Sequence, residues 1–497
     1  MGGVRLRYAT LANFIAVTIR ILVSIGFIVI VARRLPPEDF AVLGIILSLY
    51  NGLPQPSGIW NWWTQRYVGL GLAGRDGDPG VAQGTGLIIS IVYSITAFIL
   101  YIIIIYVTLG LAGLDVYPAL LASPAIIFVI LARHFMSVVS VARPELVGVA
   151  NLLHEAGKLG ASLVLVLYMG LGVAGASESL IVASMLMLLF LAYHTWRLGL
   201  LTIRRDLRLA WSWIRGAFIP GLIALTDFTR NLIRPAYTWV TRLGTPIAYI
   251  NIALSVASAV NNATQSMIPA LYAKVLRGGD RRDLEESLRL YMLIFMYMMG
   301  VAAALSRPIT SMFNPLYLDG SFMVVLGALF SLSLGFLVQF RGFLLAYLRV
   351  EEPGSDRVKV TRLLLMELVF IGAGIIAGGL LSRDASSPAE AAIIYMMVIV
   401  ATQLAGSLVY VIQIPGGFRF PWRVFMETLV SFMVVVVYLD VSGARGVLVY
   451  DFFGDAPLLA FHVAVSGIIY SGVMYLVSPW FRGLARSGFR YISGRLG

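Results

Sequence analysis

"IVYSITAFILYIIIIYVTLG" at residues 91–110 decides the fold class of this chain. The stretch carries no charged side chain, and as an α-helix it is long enough to cross the ~30 Å hydrocarbon core of a bilayer. A strand of a membrane β-barrel would alternate apolar and polar residues, and this stretch does not alternate. It therefore predicts a membrane-spanning helix.

The composition extends this prediction to the whole chain. Of the 497 residues, 59% are hydrophobic and 12% are charged, whereas a soluble domain carries about 25% charged residues. The chain contains no cysteine, which excludes disulfides, thiolate metal sites and thiol catalysis. The first apolar run has no small-residue cleavage site and is interpreted as a retained first span. We expect an all-α polytopic membrane protein.

Apolar runs of similar length recur from end to end and predict fourteen transmembrane helices. The second is interrupted by "GLPQPSG" at 52–58, which predicts a kink because proline cannot donate a helix hydrogen bond. The predicted spans lie at 11–32, 40–63, 82–109, 116–141, 146–169, 177–199, 217–240, 245–271, 288–305, 321–347, 363–381, 388–413, 423–439 and 455–478.

The distribution of Lys and Arg predicts the orientation. With both termini in the cytoplasm, inner segments hold 27 basic residues, outer segments hold 6, and 4 lie inside spans. Cytoplasmic loops carry such an excess in membrane proteins, so we expect a multi-pass protein of the cytoplasmic membrane. The same rule explains the net charge of +12 without a nucleic-acid partner, since the chain has no soluble basic domain.

A short internal repeat predicts two lobes. "ARRLPPEDFAVLGIILSL" (32–49) follows the first span, and the similar "VTRLGTPIAYINIALSV" (240–256) follows the seventh. Transporters are often built from such repeats. The predicted organisation comprises two pseudo-symmetric six-helix lobes, a basic interfacial linker between them, and two C-terminal helices with a basic cytoplasmic tail. The boundaries are 1–199, 200–216, 217–413 and 414–497.

Polar side chains recur at helical spacing inside four predicted spans, so each set shares one helix face. The first span carries Arg20 at a predicted depth of ~14 Å, and the fifth and seventh carry Lys158 at ~18 Å and Arg230 at ~20 Å. The sets comprise Arg20 in the first span; Asn151, His154, Glu155 and Lys158 in the fifth; Asp227, Arg230 and Arg234 in the seventh; and Asn251, Asn262 and Gln265 in the eighth.

Two interpretations of these charges remain open. A Lys or Arg at a helix centre costs about 2.5–3.5 kcal/mol on insertion scales unless it finds a partner or water. Glu155 with Lys158, and Asp227 with Arg230, are i,i+3 pairs that could neutralise each other. Alternatively, because the cations outnumber the acids, they line the path of an anionic substrate. No P-loop is present, and we expect neither a metal nor a cofactor.

The sequence resembles a known transporter family. Residues 7–50, with the turn "RRLPPEDFA" at 33–41, are similar to the opening of polysaccharide and oligosaccharide-lipid flippases (O-antigen flippase-like) of the multidrug/oligosaccharidyl-lipid/polysaccharide exporter (MOP) superfamily. "MIPALYAKVLRGGDRRDLEESLRL" (267–290) and "MFNPLYLDG" (312–320) resemble later segments of the family. The family pattern has two glycines in the turn, and both are replaced here.

The resemblance implies alternating access around a central cavity and outward translocation of a lipid-(pyro)phosphate-linked oligosaccharide or polysaccharide precursor. It implies that Arg20, Lys158 and Arg230, with Arg234, bind the anionic head group. We expect Glu155, Asp227 and His154 to be cavity acids or coupling groups for a proton or Na⁺. Sugar contacts are assigned to the remaining polar side chains, Asn151, Asn251, Asn262 and Gln265. Membrane lipids and glycan-assembly enzymes are the expected partners of a monomer.

Two alternatives stay open. The first is an ion-coupled multidrug antiporter of the same superfamily, which would favour cationic substrates and an acidic cavity. The second is a membrane glycan polymerase or ligase. Enzymes of that class usually carry a large outer loop, whereas the outer loops here are short, such as "GLDVY" and "SRDASSPAE". We therefore expect a transporter and not an enzyme.

Overall fold

The chain folds into helices joined by short turns. The computed structural model describes residues 19, 23–74, 77–264, 271, 275, 281–348, 357–414 and 418–486, with only the backbone described at 262–264, 281 and 453. Over these ranges no strand occurs. The predicted fold class, an all-helical polytopic membrane protein, is confirmed.

The first eleven helices are α1 (23–34), α2 (Pro37–Gly52), α3 (Gly58–Leu72), α4 (Pro79–Ala112), α5 (Tyr117–Leu120), α6 (Ser123–Ala142), α7 (Glu145–Ser162), α8 (Gly172–Arg197), α9 (Leu207–Gly216), α10 (Phe218–Asn231) and α11 (Ile233–Thr241). The remaining nine are α12 (Pro246–Thr264), α13 (Arg281–Ala304), α14 (Ser306–Phe313), α15 (Phe322–Tyr347), α16 (Arg357–Leu381), α17 (Pro388–Ile412), α18 (Trp422–Val441), α19 (Phe452–Val477) and α20 (479–486).

The stretch at 91–110 lies within α4, whose ends are fixed by local sequence. Asp78 is the N-cap, and its carboxylate accepts a hydrogen bond from the Gly80 amide at 2.8 Å. Pro79 occupies the first turn, where its missing N–H is not needed. Gly113 ends the helix in the left-handed conformation, at a φ of 65°, as helix C-termini often do. At 34 residues, α4 is longer than the ~20 residues that cross a bilayer.

The helices match the predicted spans. Within the described ranges, nine helices are long and apolar enough to cross a membrane, and the bent pair α9 and α10 raises this to ten. The other predicted spans correspond to shorter or broken helices, and part of the first lies outside the described residues. Fourteen spans are therefore consistent with the structure.

Three predicted spans are interrupted. The second breaks at Gly52, and a 3₁₀ turn at Gln55–Ser57 leads into α3, because Pro54 and Pro56 cannot donate helix hydrogen bonds. The fifth continues from α7 as a π-helix at Leu163–Tyr168. The seventh breaks at Leu232 between α10 and α11, where Pro235 removes the hydrogen bond to the carbonyl of residue 231.

The chain divides into two compact units. Unit A comprises Met1–Asn251 and Arg357–Pro388, and unit B comprises Ile252–Asp356 and Ala389–Gly497. In unit A, α6 and α7 pack on α8, and α16 packs on α10 and α11. In unit B, α18 packs on α13 and α19, and α13 also packs on α15. These units are defined by which helices pack together. They do not test the predicted lobes at 1–199 and 217–413, which stay a prediction.

The linker at 200–216 contains the amphipathic helix α9. Its N-cap, Asp206, accepts hydrogen bonds from the amides of Arg208 and Leu209. Trp213 is buried and stacks on Tyr67 at 5.9 Å between ring centroids. On the other side the helix exposes apolar residues at i, i+4 and i+7, namely Leu207, Trp211 and Ile214. This arrangement supports the prediction that the linker lies along the membrane interface.

Candidate functional site

Helix α2 presents two nearly opposite faces to the polar groups of unit A. Residues two apart on an α-helix are rotated by about 200°, so Ser48 and Tyr50 point in different directions. The hydroxyl of Tyr50 contacts α7 and α8 through His154 and Ser184. The hydroxyl of Ser48 contacts α11 through Arg234. The polar residues predicted to share one cavity therefore form two clusters on either side of α2.

The His154 cluster comprises Tyr50, His154, Glu155, Lys158 and Ser184. Tyr50 Oη lies 2.7 Å from His154 Nε2 and 2.8 Å from Ser184 Oγ. His154 Nδ1 lies 3.5 Å from Glu155 Oε1, and Lys158 Nζ lies 2.5 Å from Glu155 Oε2. A continuous chain of polar groups thus runs from α8 through α2 to Lys158.

Lys158 is buried in this cluster as predicted from its depth. Its exposed fraction is 7%, and its ammonium lies 4.8 Å from the ring centroid of Phe27 on α1. A cation over an aromatic face is stabilised by the ring quadrupole. Together, Glu155 and Phe27 replace the water that Lys158 would otherwise need.

The Arg230 cluster comprises Ser48, Asp227, Arg230, Arg234 and Glu367. Arg230 donates from Nη1 to Asp227 Oδ1 at 2.6 Å and from Nη2 to Glu367 Oε1. Glu367 is 1% exposed and Arg230 is 9% exposed. One guanidinium therefore holds two carboxylates, and this trio carries one net negative charge.

The environment of Glu367 differs from the one that the predicted spans imply. The predicted span at 363–381 placed this residue a turn inside the membrane, close enough to reach the interface. In the structure its side chain is 1% exposed and accepts a hydrogen bond from Arg230, so it does not reach toward the interface. It faces α10 because α16 packs on α10 and α11.

Arg234 has a different environment from Arg230. Its Nη1 donates to the hydroxyl of Ser48 at 3.0 Å, and its buried Nε has no hydrogen-bond partner. In the part of the chain that the structure describes, no carboxylate pairs with Arg234. Arg234 follows the break between α10 and α11, so it is presented at the start of a new helix segment.

The predicted sugar contacts differ in placement. Asn251 is 3% exposed and donates to the carbonyl of Phe40 at 2.6 Å. It packs so closely on Gly44 that a Cβ there would lie 1.9 Å from Asn251 Oδ1, which makes it a contact between α2 and α12. Asn151 is half-buried on α7. Three further predicted residues, Arg20, Gln265 and the side chain of Asn262, lie outside the described residues.

Arg133 is a cation that the sequence reasoning misplaced. It was counted with the inner loops, but it lies on α6, nine residues before the helix ends at Ala142, or about 14 Å from that end. The hydroxyls of Tyr50 and Tyr93 are close enough to interact with it electrostatically. Its position within "FVILARHFMSVV" was the available signal, because apolar residues extend on both sides. When Arg133 is assigned to a span, the inner segments still hold most of the basic residues outside the spans. The predicted orientation is therefore unchanged.

An apolar groove of about 410 Å³ lies along α16. Its lining includes Val358, Arg362, Leu365, Met366 and Val369. These residues lie on a different face of α16 from Glu367. The groove is thus separate from both polar clusters, and its apolar lining suits hydrocarbon better than a charged group.

Comparison with known proteins shows which solved structures have a similar fold. No protein-family model matches the chain, and no curated protein matches its sequence. Among solved structures, the chain is similar to the lipid II flippase MurJ in an inward closed conformation, with a TM-score of 0.67 and 12% identity over 96% of this chain and 99% of that chain.

Two further solved structures have related folds. One is an inward-facing multidrug resistance MATE transporter of the MOP superfamily, with a TM-score of 0.60 and 12% identity over 84% of this chain and 94% of that chain. The other is a MOP superfamily transporter from Pyrococcus furiosus, whose binding pocket of reverse polarity suggests a different function for it. That match has a TM-score of 0.55 and 12% identity over 86% of this chain and 95% of that chain. The chain therefore has the fold of MOP-superfamily transporters.

Proposed function

We propose that this protein is a flippase that moves a lipid-(pyro)phosphate-linked glycan precursor outward across the cytoplasmic membrane. The observation that carries the proposal is Arg234, a half-buried cation that bonds the Ser48 hydroxyl, has a buried Nε without a hydrogen-bond partner, and has no carboxylate partner within the described residues. An arginine withdrawn from water without an acid is costly unless an anion joins it. Its planar donors suit phosphate, which they bind through paired, charge-assisted hydrogen bonds.

The charge balance around α2 supports an anionic substrate. Around α2, the described cations Arg133, Lys158, Arg230 and Arg234 outnumber the described carboxylates Glu155, Asp227 and Glu367. An antiporter for cationic drugs would need the opposite excess. The likeness to both flippase and MATE folds fits either transporter class, so the sign of the charge is what favours the flippase.

The carboxylates have a proposed role in release. Lys158 and Arg230 are already paired, so a phosphate that binds them has to displace Glu155, Asp227 or Glu367. When the substrate leaves, these acids re-form their pairs and lower the free energy of the empty protein. Arg234 would then make the first head-group contact in the Arg230 cluster, and Arg230 would join after releasing one acid.

A flipping assay in proteoliposomes tests the proposal. A fluorescent lipid-pyrophosphate oligosaccharide is followed by its accessibility to an external lectin, for wild type, Arg234→Gln and Arg445→Gln. Arg445 is an exposed arginine of unit B paired with Asp440 at 2.7 Å, so it controls for loss of one charge. We expect Arg234→Gln to slow translocation about tenfold or more, because hydrogen bonds to charged groups contribute about 1.5–3 kcal/mol.

The assay also separates the alternatives. Equal rates for Arg234→Gln and Arg445→Gln, with both proteins folded, would remove Arg234 from the substrate path. Transport of a cationic dye by wild type, with none of the anionic glycolipid, would favour the multidrug antiporter.

A further inference from the structure

Arg133 lies in an enclosed position on α6. Every side chain from Ser123 to Ala142 is buried or half-buried, so no part of this helix is freely open to lipid. A mid-span arginine on a lipid-facing helix would extend along the surface toward water. Arg133 lies instead on a helix flanked by α3, α4 and α8 of unit A.

The side chain nevertheless remains partly accessible. Arg133, Met136 and Ser140 are half-buried, and their spacing of three and four residues places them on one helix face. The stripe runs from mid-span toward Ala142, the end that the distribution of basic residues places in the cytoplasm. Arg133 therefore lies at the mid-membrane end of a half-buried strip, and the other end of the strip lies near the predicted cytoplasmic surface.

The groups that interact with Arg133 are two uncharged tyrosine hydroxyls, which can accept hydrogen bonds. Tyr50 and Tyr93 interact with it electrostatically. Tyr93 already donates its proton to the Leu53 carbonyl at 2.7 Å, so toward Arg133 its oxygen can only accept. Within the described residues, no carboxylate forms an ion pair with Arg133. Its positive charge is thus not neutralised by an acid among the described residues.

We propose that Arg133 is an anion-binding residue that contacts the phosphate groups of the substrate as they enter from the cytoplasmic end of α6. This inference rests on the proposed function, and it adds a cation on the Tyr50 side of α2 to the Arg234 site on the Ser48 side. Tyr50 is hydrogen-bonded to His154 and interacts electrostatically with Arg133, so an anion at Arg133 would act on the same tyrosine as the His154 cluster.

Binding of diphosphates to the purified full chain in detergent tests the inference. The probes are farnesyl diphosphate, inorganic diphosphate and the neutral alcohol farnesol, measured by calorimetry. Met136→Glu places a carboxylate one turn from Arg133 on the same face, and Met136→Gln is the uncharged control of similar size. We expect Met136→Glu and Arg133→Gln each to raise the Kd for farnesyl diphosphate about tenfold, with Met136→Gln and Arg133→Lys near wild type.

Each outcome bears on the inference. Inorganic diphosphate bound as tightly as the prenyl form would assign the site to free phosphates and overturn the substrate role. An unchanged Kd in Met136→Glu, or farnesol bound as well as farnesyl diphosphate, would overturn the anion site. If Arg234→Gln blocks flipping while Met136→Glu binds normally, the inference fails and the proposed function stands. If wild type binds the prenyl diphosphate through Arg133 but flips no glycolipid, the proposed function fails instead.

Discussion

At the scale of single residues, helical spacing predicts neighbours within one helix and nothing beyond it. Both i,i+3 pairs suggested by the sequence are present, Glu155 with Lys158 and Asp227 with Arg230. The pairing of Arg230 with Glu367, 137 residues later, could not be predicted, because it depends on which helices pack together. Arg133 was misplaced because it was counted with the inner loops although the predicted span at 116–141 already contained it.

The Arg230–Glu367 pair gives a prediction at the same scale. Glu367→Gln leaves a buried arginine with Asp227 alone, and breaking a buried pair costs about 3–5 kcal/mol. We expect a clear fall in the thermal unfolding midpoint in detergent. Glu390→Gln, which removes an exposed acid near the start of α17, serves as the control. If Glu367→Gln melted at the wild-type temperature, the pair would contribute nothing to stability.

At the scale of elements, α4 could be predicted in detail because its cap, its proline and its terminal glycine are all local signals. The break at 52–58 was equally visible, since Pro54 and Pro56 lie two residues apart between flanking glycines. The π-helix at Leu163–Tyr168 was not, because "LVLVLY" is as apolar as a regular span. Irregular segments of this kind are set by packing on neighbouring helices and leave little trace in hydropathy.

Close helix packing in unit B gives a prediction for elements. A Cβ at Gly327 on α15 would lie 2.2 Å from the Ala253 carbonyl oxygen on α12, so Gly327→Ala forces two backbones apart. Such overpacking costs about 1–3 kcal/mol, and we expect a lower unfolding midpoint. Gly472→Ala on α19 meets nothing within 4 Å and should be neutral or stabilising. Equal midpoints for the two variants would argue against the close approach of α12 and α15.

At the scale of the whole molecule, the fold class followed from composition and the recurrence of apolar runs. The division into compact units did not, because α16 joins unit A from more than a hundred residues beyond α11. Hydropathy records which segments enter the membrane, but it does not record which of them pack together.

The predicted orientation can be tested directly because the chain has no cysteine. Single substitutions place a thiol at exposed positions, Ser386→Cys between α16 and α17 and Ser212→Cys on α9. We expect a membrane-impermeant maleimide to label Ser386→Cys in intact cells and to label Ser212→Cys only after lysis, since basic segments stay in the cytoplasm. The reverse labelling pattern would invert the topology.

The two faces of α2 have a thermodynamic consequence. Tyr50 belongs to the cluster of His154, which the sequence predicts as a proton-coupling group, and Ser48 to one proposed to bind an anion at Arg234; both lie on one helix. If protonation of His154 changes the affinity of Arg234 for phosphate by some factor, phosphate must change the proton affinity of His154 by the same factor. Under the proposed function, a proton gradient and a glycolipid gradient would then be interconvertible through the linkage between these two clusters.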